Sequence, residues 1–303
     1  MKRRKFIKKI LLSFLGLLAI PNKLISKQVF QKSNFKDGIF LNNYLPYNQN
    51  SSKDFWKWRK ERKEIKIDPI SFPLAKNDLE FLQSNKTENT LTFIGHASFL
   101  IQINGLNILT DPHFTKRASP LSFAGPMRTT PPGIRLEDLP EIDVILISHN
   151  HYDHLDKGSI KGILKSQKIQ PVIFTPLKLN KLLEKWGAKN VKSMNWWEST
   201  IFKNLKFYSV PVQHWSKRSL SDTNKTLWCG WVIEKNKFRV FFCGDTGYSK
   251  DFADIQNKFE DMDLSLLPIG AYEPRWFMKD HHCNVEEAIQ IHNDLHSKRS
   301  IGM

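Results

Sequence analysis

Residues 143–148 (DVILIS) constrain the fold of this 303-residue chain more than any other segment. They form an apolar run without polar alternation, the pattern of a strand buried on both faces, and such strands belong to sheets covered by helices. The run leads directly into His149-Asn150-His151-Tyr152-Asp153-His154, so three imidazoles and a carboxylate fall where the strand must turn. Side chains two apart in extended backbone point the same way, which lets His149 and His151 grip one ion. Asp153 and His154, past the turn, are placed to grip a second. Neutral imidazole with carboxylate is the ligand set of zinc and other borderline divalent ions.

The rest of the pattern fits an α/β layered domain over residues 90–303. Strands are predicted at 91–94, 99–103, 106–110, 172–175 and 205–212, with Asn104-Gly105 marking a two-residue hairpin. A second hairpin pairs 227–233 with 238–242. Helical periodicity covers 157–167 and 177–187, and a last helix fits 284–297, where Val285, Ala288, Ile289, Ile291, His292 and Leu295 form an apolar stripe. Residues 21–89 read as a partly irregular lead-in with one short helix over 54–64. Residues 1–9 are basic and 10–20 apolar, the order of an export signal, and eleven residues are too few for a membrane span of about 20. Arg3-Arg4 resembles the twin-arginine export motif, so the expectation is export, or inner-membrane association on the periplasmic side; the cytoplasmic face of the membrane is the alternative.

Lys and Arg number 46 against 30 Asp and Glu, a net charge of +16 that calls for an anionic neighbour. Cys229, Cys243 and Cys283 are odd in number and lack any C-x-x-C spacing, so neither a cysteine zinc site nor a disulfide framework is indicated and they read as packing residues.

H-x-H-x-D-H after a buried strand resembles the signature of the metallo-β-lactamase superfamily. The resemblance implies a four-layer αββα sandwich with a binuclear metal site at one edge of its sheets. His214, in Val210-Pro211-Val212-Gln213-His214-Trp215, matches the superfamily's next histidine and joins His149 and His151 on the first ion. Asp245, in Cys243-Gly244-Asp245-Thr246-Gly247, matches the aspartate that bridges both ions. The segments FIGHASFLI, LTDPHFTKRASPLSFAGPMR, VILISHNHYDHLD, QHWSKRSLSDTNKTLW and LPIGAYEPRWFMKDHH resemble the N-acyl-phosphatidylethanolamine-hydrolysing phospholipase D family, which has bacterial members. That resemblance implies release of N-acylethanolamine and phosphatidic acid, with two divalent ions, zinc being the ion expected. It also implies a phospholipid substrate and a homodimer; the +16 charge agrees with an anionic membrane surface, and the lack of an RNA-binding motif together with the YEPRWFMK string argues against nucleic acid. Asp153 serves catalysis as well as the second ion, and His282 matches a histidine that assists catalysis after the WFMK segment. The neighbouring His281 competes for that assignment. Asp111, before Pro112, is the candidate carboxylate that accepts an N–H from a ligating histidine, and His96, just after a strand, lines the site. Two alternatives stay open: a hydrolase of the same fold acting on a lactone or another phosphodiester, and a non-catalytic envelope protein.

In the family, the strand after the last helix carries one further ligating histidine. This sequence ends at Gly302-Met303, where that histidine would come next. Either the sequence is a fragment or interrupted reading frame, or the protein lacks that ligand; on the second reading the last strand is missing, its sheet neighbour unpaired, and the second ion one ligand short and weakly held.

Overall fold

A computed structural model describes residues 30–46, 50–64, 73–121 and 123–303. The basic and apolar segment at 1–20 lies outside the described residues. Among them, no helix is long and apolar enough to cross a membrane.

The segment read as a lead-in carries a hairpin, β1 (Asn34–Lys36) with β2 (Ile39–Leu41), and two helices, α1 (Ser52–Glu64) and α2 (Leu79–Ser84). It belongs to the main body, since residues 31–303 form one compact unit. Phe40 is buried in the principal core, where it offsets the cost of ordering the hairpin.

A six-stranded sheet follows, built from β3 (Thr90–Gly95), β4 (Ser98–Ile103), β5 (Leu106–Thr110), β6 (Val144–Leu146), β7 (Val172–Pro176) and β8 (Val191–Met194), in that spatial order. β3, β4 and β5 are antiparallel and the rest run parallel to β5. The parallel connections carry α3 (Lys157–Ser166) between β6 and β7, and α4 (Asn180–Lys185) between β7 and β8. α4 starts three residues later than the periodicity suggests because Lys178 takes a left-handed backbone, φ 69°, which no helix can include.

The second sheet runs β9 (Ser199–Phe202), β10 (Leu205–Val210), β11 (Gly230–Lys235), β12 (Phe238–Phe242), β13 (Leu264–Leu267) and β14 (Ser300–Gly302). α5 (Asp251–Phe259) joins β12 to its parallel neighbour β13. The short α6 (Arg275–Met278) and α7 (Val285–Asp294) lie between β13 and β14. β14 corrects the expectation of a missing strand: Ser300, Ile301 and Gly302 pair in parallel with Ser265, Leu266 and Leu267. The edge of β13 offers backbone donors and acceptors that three residues are enough to use. Met303 N donates to Leu267 O at 2.9 Å and Ile269 N to Met303 O at 3.0 Å.

Alternate residues assign the layers. Ile108, Val144 and Leu146 face the other sheet, while Leu109 and Ile145 face a separate core shared with Ile160 and Ile163 of α3 and Leu183 of α4. Between the sheets, Phe174 packs 5.0 Å from Phe207, and Trp231 Nε1 donates to Ile147 O at 2.9 Å. On the far side, Phe252 of α5 stacks edge-on against Phe241 at 6.4 Å. The order is helices, sheet, sheet, helices, as the resemblance implies.

Candidate metal centre

Five loops leave the two sheets at one edge. The β3–β4 turn carries His96, the end of β5 carries Asp111, and the end of β6 carries residues 148–154. The end of β10 leads to His214 and the end of β12 to Asp245. Among the described residues, His149, His151 and His214 place one ring nitrogen each within 4.8 Å of the others.

Hydrogen bonds fix the tautomers of this first group. The Ser148 hydroxyl donates to Asp111 Oδ2, so it accepts from His149 Nδ1 at 2.9 Å. His214 Nδ1 donates to the carbonyl of His281 at 3.0 Å. Both Nε2 atoms therefore present lone pairs, and both face His151 Nδ1, at 2.8 Å from His149 and 3.3 Å from His214. One hydrogen on His151 cannot satisfy two neighbours, and a second proton is disfavoured. Burial holds His149 and His214 well below the ordinary histidine range and brings His151 down to about 4. His151 Nε2 is itself buried with no hydrogen-bond partner among the described residues. Three neutral, buried imidazoles with converging lone pairs fit a divalent cation.

Asp111 does what its candidacy supposes. It is fully buried at the end of β5, accepts Ser148 N at 2.7 Å on Oδ1, and accepts His154 Nδ1 at 2.8 Å on Oδ2. Burial raises its pKa, against the opposing hydrogen bond from His154. With its Nδ1 committed, His154 turns Nε2 toward Asp245 Oδ2 at 3.1 Å and Asp153 Oδ2 at 3.7 Å. Burial opposes protonation of His154, but Asp245 and Asp153 outweigh it and raise its pKa well above the ordinary range. Both carboxylates stay ionised despite the cost of burial, held there chiefly by His154. Asp245 Oδ2 also lies 3.9 Å from His214 Nε2, so this carboxylate stands between the two groups. His96 Nε2 lies 3.0 Å from Asp153 Oδ2. His282 Nδ1 is 3.8 Å from Asp245 Oδ2 at the rim, whereas the neighbouring His281 contributes its carbonyl to His214.

Sequence reasoning passes over the residues that brace these ligands. Asn42, in the lead-in, accepts His214 N at 3.2 Å and donates to His214 O at 3.0 Å. Arg218 donates to Asn150 O at 2.9 Å and Leu155 O at 2.7 Å, clamping both ends of the histidine loop, and stacks 4.0 Å from the Tyr152 ring. Arg275 donates to the carbonyl of His282 and pairs with Glu287 at 2.9 Å. Nothing local in the sequence marks Asn42; Arg218 and Arg275 lie inside the QHWSKR and YEPRWF strings that carry the resemblance. Gly244 is obligatory: at φ 65° a Cβ there would sit 2.6 Å from Ser148 Cβ.

A model of the β-lactamase superfamily domain matches residues 106–303. The chain is 42% identical over 224 residues to N-acyl-phosphatidylethanolamine-hydrolyzing phospholipase D 1 of Caenorhabditis elegans, covering 70% of this chain and 62% of that one. It is 36% identical over 244 residues to the mitochondrial enzyme of the same description from Saccharomyces cerevisiae, covering 78% of this chain and 51% of the relative. The chain thus spans about half to two thirds of the length of these two relatives. Among solved structures, a metal-dependent hydrolase from Veillonella parvula superposes with a TM-score of 0.59 at 17% identity, over 72% of this chain and 85% of that one. A metallo hydrolase from Ignicoccus hospitalis superposes with a TM-score of 0.55 at 22% identity, over 70% and 81%. Both structural likenesses speak for the fold.

Proposed function

The chain belongs to the beta-lactamase superfamily, and on that premise we propose that it is a binuclear metal-dependent phosphodiesterase of phospholipase D type, hydrolysing N-acyl-phosphatidylethanolamine. The coarser statement, a metallo-β-lactamase-fold hydrolase related to phospholipase D, rests on the family match. The observation that carries the finer one is the shared carboxylate: Asp245 Oδ2 reaches both His214 and His154, so two donor groups meet at one edge with a common member.

His149, His151 and His214 would hold one ion, Asp153 and His154 the other, with Asp245 between them. When bound, such a pair of divalent ions, zinc being the expected identity, lowers the pKa of a shared water and offsets charge on a phosphate. Asp111 engages His154 Nδ1, and through Ser148 His149 Nδ1, so that Nε2 is the atom each imidazole would offer to an ion. His282 stands at the rim, its Nδ1 3.8 Å from Asp245 Oδ2, and on this reading is the residue that assists departure of the leaving oxygen.

A lipid substrate is supported by the surface beside the ligands. A groove of about 870 Å³, lined by Leu91, Phe93, Met127 and Pro131, opens onto His96 and Asp153. An acyl chain suits that lining, while a phosphate beside it would meet the ligand edge. The anionic membrane surface as partner is supported by α1 (SKDFWKWRKERKE), which is rich in lysine and arginine and exposes Phe55 and Trp56.

The experiment is a side-by-side assay of N-acyl-phosphatidylethanolamine, bis-nitrophenyl phosphate, a lactone and an RNA with the metal-loaded protein. Phosphatidic acid release from the lipid at a rate above the other substrates supports the proposal. Hydrolysis of the lactone alone, or fewer than two ions and no turnover, overturns it in favour of the two alternatives.

A further inference from the structure

The second donor group is larger than the sequence suggests. His96 Nε2 lies 3.0 Å from Asp153 Oδ2 and also 3.2 Å from His154 Nε2. His154 has its other nitrogen committed to Asp111, so Nε2 is the atom it turns toward His96 as well as toward the carboxylates. His96, Asp153 and His154 each bring a donor atom within 4.8 Å of the others, and Asp245 Oδ2, 3.1 Å from His154 Nε2, adds a fourth donor from a third loop. Bonds of about 2.0–2.2 Å to a tetrahedral ion set neighbouring ligand atoms roughly 3.3 Å apart. The separations around His154 and Asp153, 3.0, 3.1, 3.2 and 3.7 Å, bracket that spacing.

The backbone is strained to put His96 there. It takes φ 53° in a tight turn after Gly95, whose own φ of 134° only glycine adopts freely. A left-handed histidine is strained and persists only where its surroundings hold it. Here they do: Thr110 Oγ1 donates to Ala97 O at 2.7 Å, and Ser98 Oγ donates to the carbonyl of Asp111 at 2.6 Å. The turn bearing His96 is thus tied to the residue that orients His154, and the two imidazoles share one rigid frame.

We propose that His96 is a direct ligand of the second metal ion, completing with Asp153, His154 and Asp245 a four-donor set supplied by this chain between residues 96 and 245. The proposal rests on the binuclear reading above and on no residue beyond Met303. His96 then does more than line the site: the β3–β4 turn becomes one wall of the metal centre, and the floor of the apolar groove, which His96 shares, abuts the second ion.

The test compares wild type with His96→Gly and His96→Asn, both at home in a left-handed turn, so that folding survives. Thermal unfolding of the metal-free proteins checks this. Zinc content after dialysis and affinities from chelator competition are the readouts, with the visible spectrum after cobalt loading as a report on ligand number. The expected result is two ions in wild type and one in each variant, with the second dissociation constant raised beyond the roughly 10- to 100-fold that loss of an outer hydrogen-bonding partner costs. Free imidazole added to His96→Gly should restore the second ion. Two ions at wild-type affinity in both variants would overturn the assignment and leave the binuclear reading standing. One ion or none in wild type would overturn the binuclear reading itself.

Discussion

Replacing Asp111 by Asn isolates the residue on which both donor groups lean. Its carboxylate takes three donors: Ser148 N at 2.7 Å, His154 Nδ1 at 2.8 Å, and the Ser148 hydroxyl. An asparagine of the same shape offers one oxygen and an NH₂ that must face a donor, so at least one buried N–H or O–H loses its acceptor. A buried donor left unsatisfied costs about 1–3 kcal/mol. The metal-free protein recovers part of this, because the replaced carboxylate is itself costly to bury, as its raised pKa records. The metal-bound form recovers nothing, since His154 is free to move its proton onto the ligand nitrogen and Ser148 no longer holds His149. Metal affinity should therefore fall about 10- to 100-fold, or roughly 1.4–2.8 kcal/mol, at each ion, while metal-free stability moves less. Ser148→Ala gives the contrast: it removes the acceptor for His149 Nδ1 but leaves the His154 bond intact, so it should weaken the first ion alone. Stepwise zinc titration against a chromophoric chelator reads both constants. Equal losses at both ions in the two variants, or affinities within twofold of wild type in Asp111→Asn, would refute the reasoning.

Three further outcomes are expected. Burial lifts Asp251 to about 6, although Asn43 and Ser249 donate to it at 2.8 and 2.7 Å. Between about pH 4 and 6 native Asp251 binds more protons than Asp251 of the unfolded chain, so its own contribution to stability should fall as pH rises through that window, by at most about 3 kcal/mol, on top of the opposite slope from the depressed His149, His151 and His214. Asp251→Asn should remove the Asp251 contribution and raise stability at pH 7.5; urea midpoints of metal-free protein across the range decide it, and an unchanged slope counts against it. Gly244→Ala forces a Cβ to within 2.6 Å of Ser148 Cβ and should cost about 1–3 kcal/mol in denaturation while loosening the first ion; a neutral result would mean the β12 loop yields freely. Trp56, 64% exposed on α1, should matter to lipid surfaces, so Trp56→Ala should reduce sedimentation with phosphatidylglycerol vesicles and leave bis-nitrophenyl phosphate hydrolysis unchanged; equal sedimentation would count against α1 as the contact.

What the sequence discloses follows from how local each cause is. The β4–β5 hairpin is legible because Asn104 and Gly105 take φ 53° and 74°, the left-handed pair that a two-residue turn requires. The histidine loop is legible because β6 is short, apolar and runs into it. β9 and β13 escape notice: β9 is a half-exposed edge strand of four residues, and the apolar residues of β13 lie in a stretch whose partner, β14, is about 35 residues away. α5 is buried along Phe252, Ile255 and Phe259, a stripe visible only once its acidic start is read as a helix beginning. Asn42 has no local signal because its role depends on a hydrogen bond to a residue 172 positions later. His96 falls between these cases. Its place after a strand suggested the site, but its pairing with His154 depends on the turn being tied to Asp111.

On the binuclear reading proposed above, charge favours a diester. Three carboxylates, Asp111, Asp153 and Asp245, are gathered with the imidazoles at one edge. Against two divalent ions this leaves a single net positive charge in a partly desolvated setting, where uncompensated charge is expensive. A phosphodiester carries one negative charge and brings the assembly to neutrality. A monoester, such as the phosphatidic acid that hydrolysis would leave, carries about −1.5 to −2 and overshoots. A neutral lactone leaves the charge uncompensated. On the proposed reading, the carboxylate count therefore favours binding of the diester and release of its product, and it does so through Asp111 as well as through the two carboxylates that face the ions.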